Sequence, residues 1–164
     1  MERCTANDFK DIFEIINDAA TAYKGVIPAD RWHEPYMSDI EIQAQIEDSV
    51  EFWAYKEGGK ILGVMGIQDR GEVTLIRHAY VRTIHRNMGI GGRLLSHLVN
   101  LTGKPVLIGT WAEAKWAIGF YQKHGFRLLS RDETNRLLLK YWAIPQRQIE
   151  TSVVLANSDW KGED

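Results

Sequence analysis

The chain has 164 residues, 45% of them hydrophobic, and a formal net charge of −2 at pH 7. That length fits one domain able to bury a core of its own. The lone Cys4 excludes an intramolecular disulfide framework or a multi-cysteine zinc site. No apolar run approaches the ~18 residues of a membrane span. The opening MERCTANDFKD is polar and acidic, unlike a secretory signal, so a cytoplasmic protein is expected. Charge is unevenly spread: residues 1–57 carry 13 acidic and 5 basic side chains, residues 58–164 carry 9 and 15. The basic part suits an anionic ligand. The acidic part reads as a solvated helix face or an attraction for a cationic amine. No basic cluster interleaved with aromatics points to nucleic acid, and no three ligands at fitting spacing point to a metal.

Residues 2–5 suit a short edge strand. Asn7 or Asp8 is positioned to cap a helix with Phe9, Ile12, Phe13, Ile16, Ala20 and Tyr23 on its inner face, ended by Gly25. Residues 26–37, with prolines near both ends and two large aromatics, read as an irregular or briefly helical connector. Ser38 and Glu41 form a capping box for a second helix with Ile42, Ile46 and Val50 inward. Residues 52–55 and 61–67 read as strands joined by the Gly58-Gly59 hairpin turn. A strand over 73–81, a glycine-bearing turn and a helix with Ile90, Leu94, Leu95, Leu98 and Leu101 at helical spacing follow. Gly103 is the expected C-terminal cap residue of that helix.

Residues 106–110 suit a buried strand and 112–124 a helix ended by Gly125. Residues 126–129 form another short strand. A helix capped by Asp132, with Leu137, Leu138 and Tyr141 inward, precedes Pro145. A last strand spans 149–156, and 157–164 is a polar tail expected to fray. The order is β-α-α-β-β-β-α-β-α-β-(α)-β, within a single domain over 1–156. Hairpins make the first part of the sheet antiparallel, whereas the strand–helix–strand over 73–110 demands a parallel crossover. An α/β (α+β) fold follows: a mixed sheet with helices on both faces.

The turn before residue 93 carries the chemistry. Gly89, Gly91 and Gly92 leave a ligand free to approach the backbone. The first amides of a helix lack intrahelical partners and favour phosphate. A Walker loop is absent, because Gly92 is followed by Arg93-Leu94. The dinucleotide pattern GxGxxG fails at Leu94. What stands here is Arg86-Asn87-Met88-Gly89-Ile90-Gly91, of the form R/Q-x-x-G-x-G/A. Downstream, residues 117–126, AIGFYQKHGF, fit A-x-x-F/L-Y-x-x-x-G-F. On these two motifs the chain resembles the GNAT N-acetyltransferase superfamily, over roughly residues 1–156.

The resemblance implies a mostly antiparallel twisted sheet of six or seven strands. Its central parallel pair is splayed, and the pantetheine arm of acetyl-CoA, the co-substrate, enters the gap. Tyr80 and Val81 would pair with that arm by strand addition. The pyrophosphate would lie on Arg86, Asn87, Met88, Gly89, Ile90, Gly91 and Gly92, with Phe120 nearby. A backbone N–H near Ala79 or Tyr80 would face the acetyl carbonyl. Tyr121 matches the family tyrosine beside the cofactor sulfur, a proton donor to the departing thiolate. Many relatives have Asn where this chain has Ala114, so contacts there must come from Trp111, Lys115, Trp116 or Phe120.

The base is less defined. His78 has the right residue type, but strict alternation places Leu75, Arg77, Ala79 and Val81 on one face and Ile76, His78 and Tyr80 on the other. Positions that usually supply the base in relatives match Leu75 and Arg77, neither of which is one. Glu72, Glu113, His33, Glu34 or a water chain are the alternatives. Trp32, His33, Glu34 and Tyr36 match the connector that walls the acceptor pocket. Trp111 is a further candidate there, and Arg77 reads as a binder of a substrate carboxylate. Cys4 has no histidine partner, so direct attack in a ternary complex is expected. The function implied is acetyl transfer to a primary amine of a small molecule or peptide, with a non-catalytic acyl-CoA-binding domain as the alternative. Dimers are common in the family.

Overall fold

The computed structural model describes residues 1–162. Seven strands form one sheet: β1 (Glu2–Arg3), β2 (Glu51–Glu57), β3 (Lys60–Asp69), β4 (Thr74–Val81), β5 (Val106–Trp111), β6 (Arg127–Leu128) and β7 (Ser152–Ala156). Their spatial order is β1-β2-β3-β4-β5-β7-β6. Among the described residues every pairing is antiparallel except β4 with β5. The helices are α1 (Phe9–Ala19), α2 (Asp39–Glu47), α3 (Ile90–Val99), α4 (Lys115–Lys123), α5 (Arg131–Tyr141) and α6 (Gln146–Glu150).

Local chemistry explains most boundaries. Gly58 and Gly59 both take left-handed φ, 59° and 80°, as a tight hairpin turn between β2 and β3 requires. The Ser38 hydroxyl accepts from the Glu41 N–H at 3.1 Å, and the Ser38 N–H donates to the Glu41 carboxylate at 3.2 Å, closing the expected box. Two caps differ from expectation by one rule: the capping residue lies three positions ahead of an acid. Asp8 stands at the N-cap of α1, but its side chain makes no cap bond to that helix; Thr5 opens a 3-10 turn at Ala6–Asp8 ahead of it, and the Thr5 N–H donates to Asp8 at 2.8 Å. Ser130, not Asp132, caps α5, accepting from the Glu133 N–H at 3.2 Å. Asn100 rather than Gly103 caps α3. Residues 149–150 lie in α6, opened by Pro145, instead of the last strand.

The sheet's two faces carry separate cores. Met65, Ile76, Ile108 and Leu155 pack against Leu94, Leu95 and Leu98 of α3 and Ile118 and Tyr121 of α4. On the opposite face, Phe52, Ala54 and Val64 meet Ile12, Ile15 and Ile16 of α1 and Ile42 of α2. Leu75, Leu107 and Val154 meet Leu137, Leu138 and Tyr141 of α5 there. Trp160 is also buried in this last cluster, its indole donating to Glu133 at 3.0 Å. The Asn157 side chain accepts from the Val106 N–H at 3.0 Å. The segment expected to fray is therefore docked through Trp160; residues 163–164 lie outside the described residues.

One irregularity matters for the site. Gly66 faces Arg77 and Val64 faces Tyr80, so β4 holds one residue more than β3 over this stretch. This is a β-bulge, with His78 at a left-handed φ of 55°. Gly66 makes room for it: a Cβ there would lie 2.9 Å from the Arg77 carbonyl oxygen. The bulge breaks the expected alternation. Ala79 and Val81 pack beside α3, while Tyr80 joins the α1–α2 core. His78 lies against Phe52 of that same core, with ring centroids 6.0 Å apart. Arg77 donates to Gln68, also on that side. Arg77 keeps the face of Leu75, as the two-residue period requires, but His78 and Tyr80 share that face too, while Ala79 and Val81 lie with Ile76.

Candidate active site

The parallel ladder between β4 and β5 runs only from Thr74 and Val106 to Ile76 and Ile108. Beyond that, β5 remains paired with β7 up to Trp111, while β4 continues along β3 to Val81. The strands part, and a cleft of ≈ 1600 Å³ opens through the gap. Gly109 stands where they separate. A Cβ there would lie 3.2 Å from the Trp142 indole, so glycine lets that ring approach β5 more closely than a side chain would.

One end of the cleft is the turn into α3. A 3-10 turn at Thr83–His85 is tethered by the Thr83 N–H, which donates to Asp18 at 2.8 Å. Asn87 and Gly89 follow with left-handed φ of 64° and 78°. The first amide of the helix with a main-chain acceptor is Arg93, which donates to Gly89 at 3.1 Å. The amides ahead of it have no protein acceptor among the described residues. They constitute a helix N-terminus open to an anion. Arg86, Asn87, Gly89, Ile90, Gly91, Gly92 and Phe120 line the cleft together with Tyr80 and Val81. Met88 is instead exposed to solvent. Gly91 and Gly92 do more than leave space. A Cβ at Gly91 would lie 3.3 Å from the Phe120 ring and one at Gly92 2.8 Å from His124, so they let α4 pack tightly on α3.

Tyr121 is buried on α4, its ring edge-on to Phe120 and Phe126, and it lines the same cleft. Burial raises its hydroxyl above the ordinary value of 10.0, so the phenol is protonated at neutral pH. Its hydroxyl has no protein hydrogen-bond partner among the described residues. Tyr23, Tyr36 and Tyr80 gather on the other side of the parting, with Tyr23 centroids 5.4 Å from Tyr36 and 6.4 Å from Tyr80. Burial pushes the Tyr23 hydroxyl up to about 12.

His78 is reached from the cleft, and its Nε2 pairs with the Gln45 side-chain oxygen at 3.0 Å. Burial, with a smaller effect of the Arg77 charge, pushes its pKa down to about 3. The ring is neutral and a weak proton acceptor. Arg77 lines the cleft, donating to Gln68 at 3.3 Å; burial and then the Arg70 charge lower it to about 10, which leaves it cationic at neutral pH.

The connector reaches the same place. Trp111 donates to the Tyr36 hydroxyl at 2.8 Å, and both line the cleft. His33 lines it too, its Nδ1 2.8 Å from the Pro35 carbonyl. Trp32 stands behind Tyr36 at 5.9 Å, outside the lining. Glu34 turns away to an exposed pair with Lys24 at 3.2 Å. Glu72 receives the Tyr141 hydroxyl at 2.9 Å, and neither it nor Glu113 lines the main cleft. Cys4 lies beside β2, away from the cleft, and burial raises its thiol to about 12. Ala114 is buried against Ile27 and Trp111, where it holds the connector to the start of α4. Sequence reasoning did not single out Arg31, Gln45 or Trp142, all of which line the cleft.

Residues 48–128 match the family model described as an acetyltransferase (GNAT) domain. No curated protein matches the chain. Among solved structures, the chain is similar to a PaiA N-acetyltransferase from Thermoplasma acidophilum in complex with coenzyme A. The two are 14% identical over 94% of each chain, with a TM-score of 0.70. A GNAT-family acetyltransferase from Staphylococcus aureus is 15% identical over 94% of this chain and 95% of its own, with a TM-score of 0.69. A GNAT-family acetyltransferase from Elizabethkingia anophelis, with acetyl-CoA bound, is 28% identical over 71% of this chain and 81% of its own, with a TM-score of 0.56. The open helix start, the parted strands and these likenesses together mean that this chain carries a GNAT acetyltransferase domain.

Proposed function

We propose that the protein transfers the acetyl group of acetyl-CoA to a primary amine by direct attack within a ternary complex in the cytoplasm. One observation carries the reading. The anion-accepting turn at 86–92, the unpaired edge of β4 and the protonated Tyr121 all open on one cleft. The amides of the turn hold the diphosphate. The free edge of β4 beyond Ile76 pairs with the pantetheine arm. The bulge turns a main-chain N–H near Ala79 or Tyr80 toward the thioester carbonyl, where it stabilises the charge that develops on oxygen. As the carbon–sulfur bond breaks, the Tyr121 hydroxyl gives its proton to the leaving sulfur. The amine loses its own proton to water in the cleft. His78 is not assigned as the base, because burial makes its ring a weak proton acceptor and its Nε2 is already paired with Gln45.

The test has two parts. Calorimetric titration should show binding of acetyl-CoA and none of ATP; the reverse would refute the cofactor class. Thiol release from acetyl-CoA should then depend on an added amine. Tight binding with no amine-dependent release across a broad panel would favour the acyl-CoA-binding alternative.

A further inference from the structure

The acceptor's chemistry is written in the charges at the other end of the cleft. Arg31, His33, Tyr36, Gln45, Arg77 and His78 line it on the side opposite α3. The walls are aromatic: Tyr23, Tyr36 and Trp111 belong to one packed group. Glu41 is the one carboxylate among the described lining residues, and it already accepts the Ser38 N–H at 3.2 Å. The cations are less provided for. Arg77 has a single neutral partner, Gln68. Arg31 has neither an ion pair nor a side-chain hydrogen bond among the described residues, and its Nε is buried without a partner.

Arg31 thus lines the cleft as a cation that no group among the described residues neutralises, and an anion is the ligand that satisfies it. Guanidinium and carboxylate match in geometry, so two parallel hydrogen bonds are available to an anion at Arg31. We propose that the acceptor amine carries a carboxylate on an apolar body, with Arg31 holding that carboxylate and Arg77 adding to the positive field. This deepens, and rests on, the acetyltransferase reading above. A polycationic amine is disfavoured: it would meet two arginines and no free carboxylate.

The experiment pairs ligands that differ in the carboxylate. N-acetyl-L-phenylalanine and N-acetylphenethylamine are titrated against the protein with coenzyme A present, following the fluorescence of the lining Trp111 and Trp116. The anionic compound should bind at least tenfold more tightly, and Arg31→Ala should bring the ratio to within threefold. In thiol release, phenylalanine should exceed phenethylamine and spermidine in kcat/KM by a similar factor. Equal or reversed binding overturns the proposal, as does a preference that survives Arg31→Ala, or no binding of either compound at millimolar concentration. Should the binding preference hold while no amine releases thiol, the acetyltransferase reading fails and the anion site stands.

Discussion

Replacing Tyr121 with phenylalanine separates chemistry from folding. The hydroxyl has no protein partner among the described residues, so its removal orphans no donor or acceptor. The ring, buried against Phe120 and Phe126, is retained. Stability should therefore change by less than about 0.5 kcal/mol. The rate should change far more. A positioned proton donor contributes about 10²–10⁴-fold, roughly 3–5 kcal/mol of barrier. The assay is steady-state thiol release at saturating amine, with kcat and the KM for acetyl-CoA measured separately. A hundredfold or larger fall in kcat with KM within threefold is expected. Because burial raises the phenol above 10.0, the wild-type rate should show no falling limb below about pH 10. A kcat within threefold of wild type in the phenylalanine variant would refute the leaving-group role.

Acid should destabilise the protein through His78. Its folded pKa of about 3 lies below the unfolded 6.5, so between those values the unfolded chain binds the extra proton. Stability is full above pH 6.5 and should fall by about 2 kcal/mol on going to pH 5, measured by urea unfolding at each pH. His78→Asn, which tolerates the left-handed backbone, should flatten that slope and keep kcat at pH 7.5 within threefold. A large kcat loss would restore His78 as a base candidate. Gly66→Ala should cost about 1–3 kcal/mol, because its Cβ would lie 2.8 Å from Val50 and 2.9 Å from the Arg77 carbonyl. Gly119→Ala meets nothing within 4 Å on an exposed helix position and should add about 0.5–1 kcal/mol, roughly 1–4 °C in Tm. Ser130→Ala should lose about 1 kcal/mol with the cap of α5.

The order of elements and the glycine-bearing turn into α3 were legible from periodicity and glycine placement, because each is a local property of the chain. The antiparallel hairpin showed in Gly58-Gly59 and the parallel crossover in the strand–helix–strand around Ile90. The bulge was not legible, since one additional residue leaves β4 as β-branched and aromatic as before; Gly66 inside a strand was its one trace. That omission put His78 and Tyr80 on the wrong face. The end of the cleft away from α3 depends on side chains far apart in sequence, such as Arg31, Gln45 and Trp142, which only the tertiary fold brings together. Trp160, an indole within a polar stretch, was the visible sign that the tail docks. The displaced caps at Thr5 and Ser130 reflect competition among adjacent polar residues that pattern alone does not rank.

The additional residue in β4 also fixes what this strand tolerates. Removing His78 would restore a regular pleat in which Tyr80 keeps its place opposite Val64 and Val81 its place opposite Gly63, so both side chains would stay on their present faces. The change would fall on the main chain, where the left-handed turn at His78, for which Gly66 makes room, would straighten. The same deletion in the turn between β3 and β4, where Gly71 has φ 81° and nothing near its missing Cβ, only shortens a loop. Loss of one residue on either side of Thr74 thus leaves the faces of Tyr80 and Val81 unchanged, and only the loss within β4 alters the main chain beside the cleft.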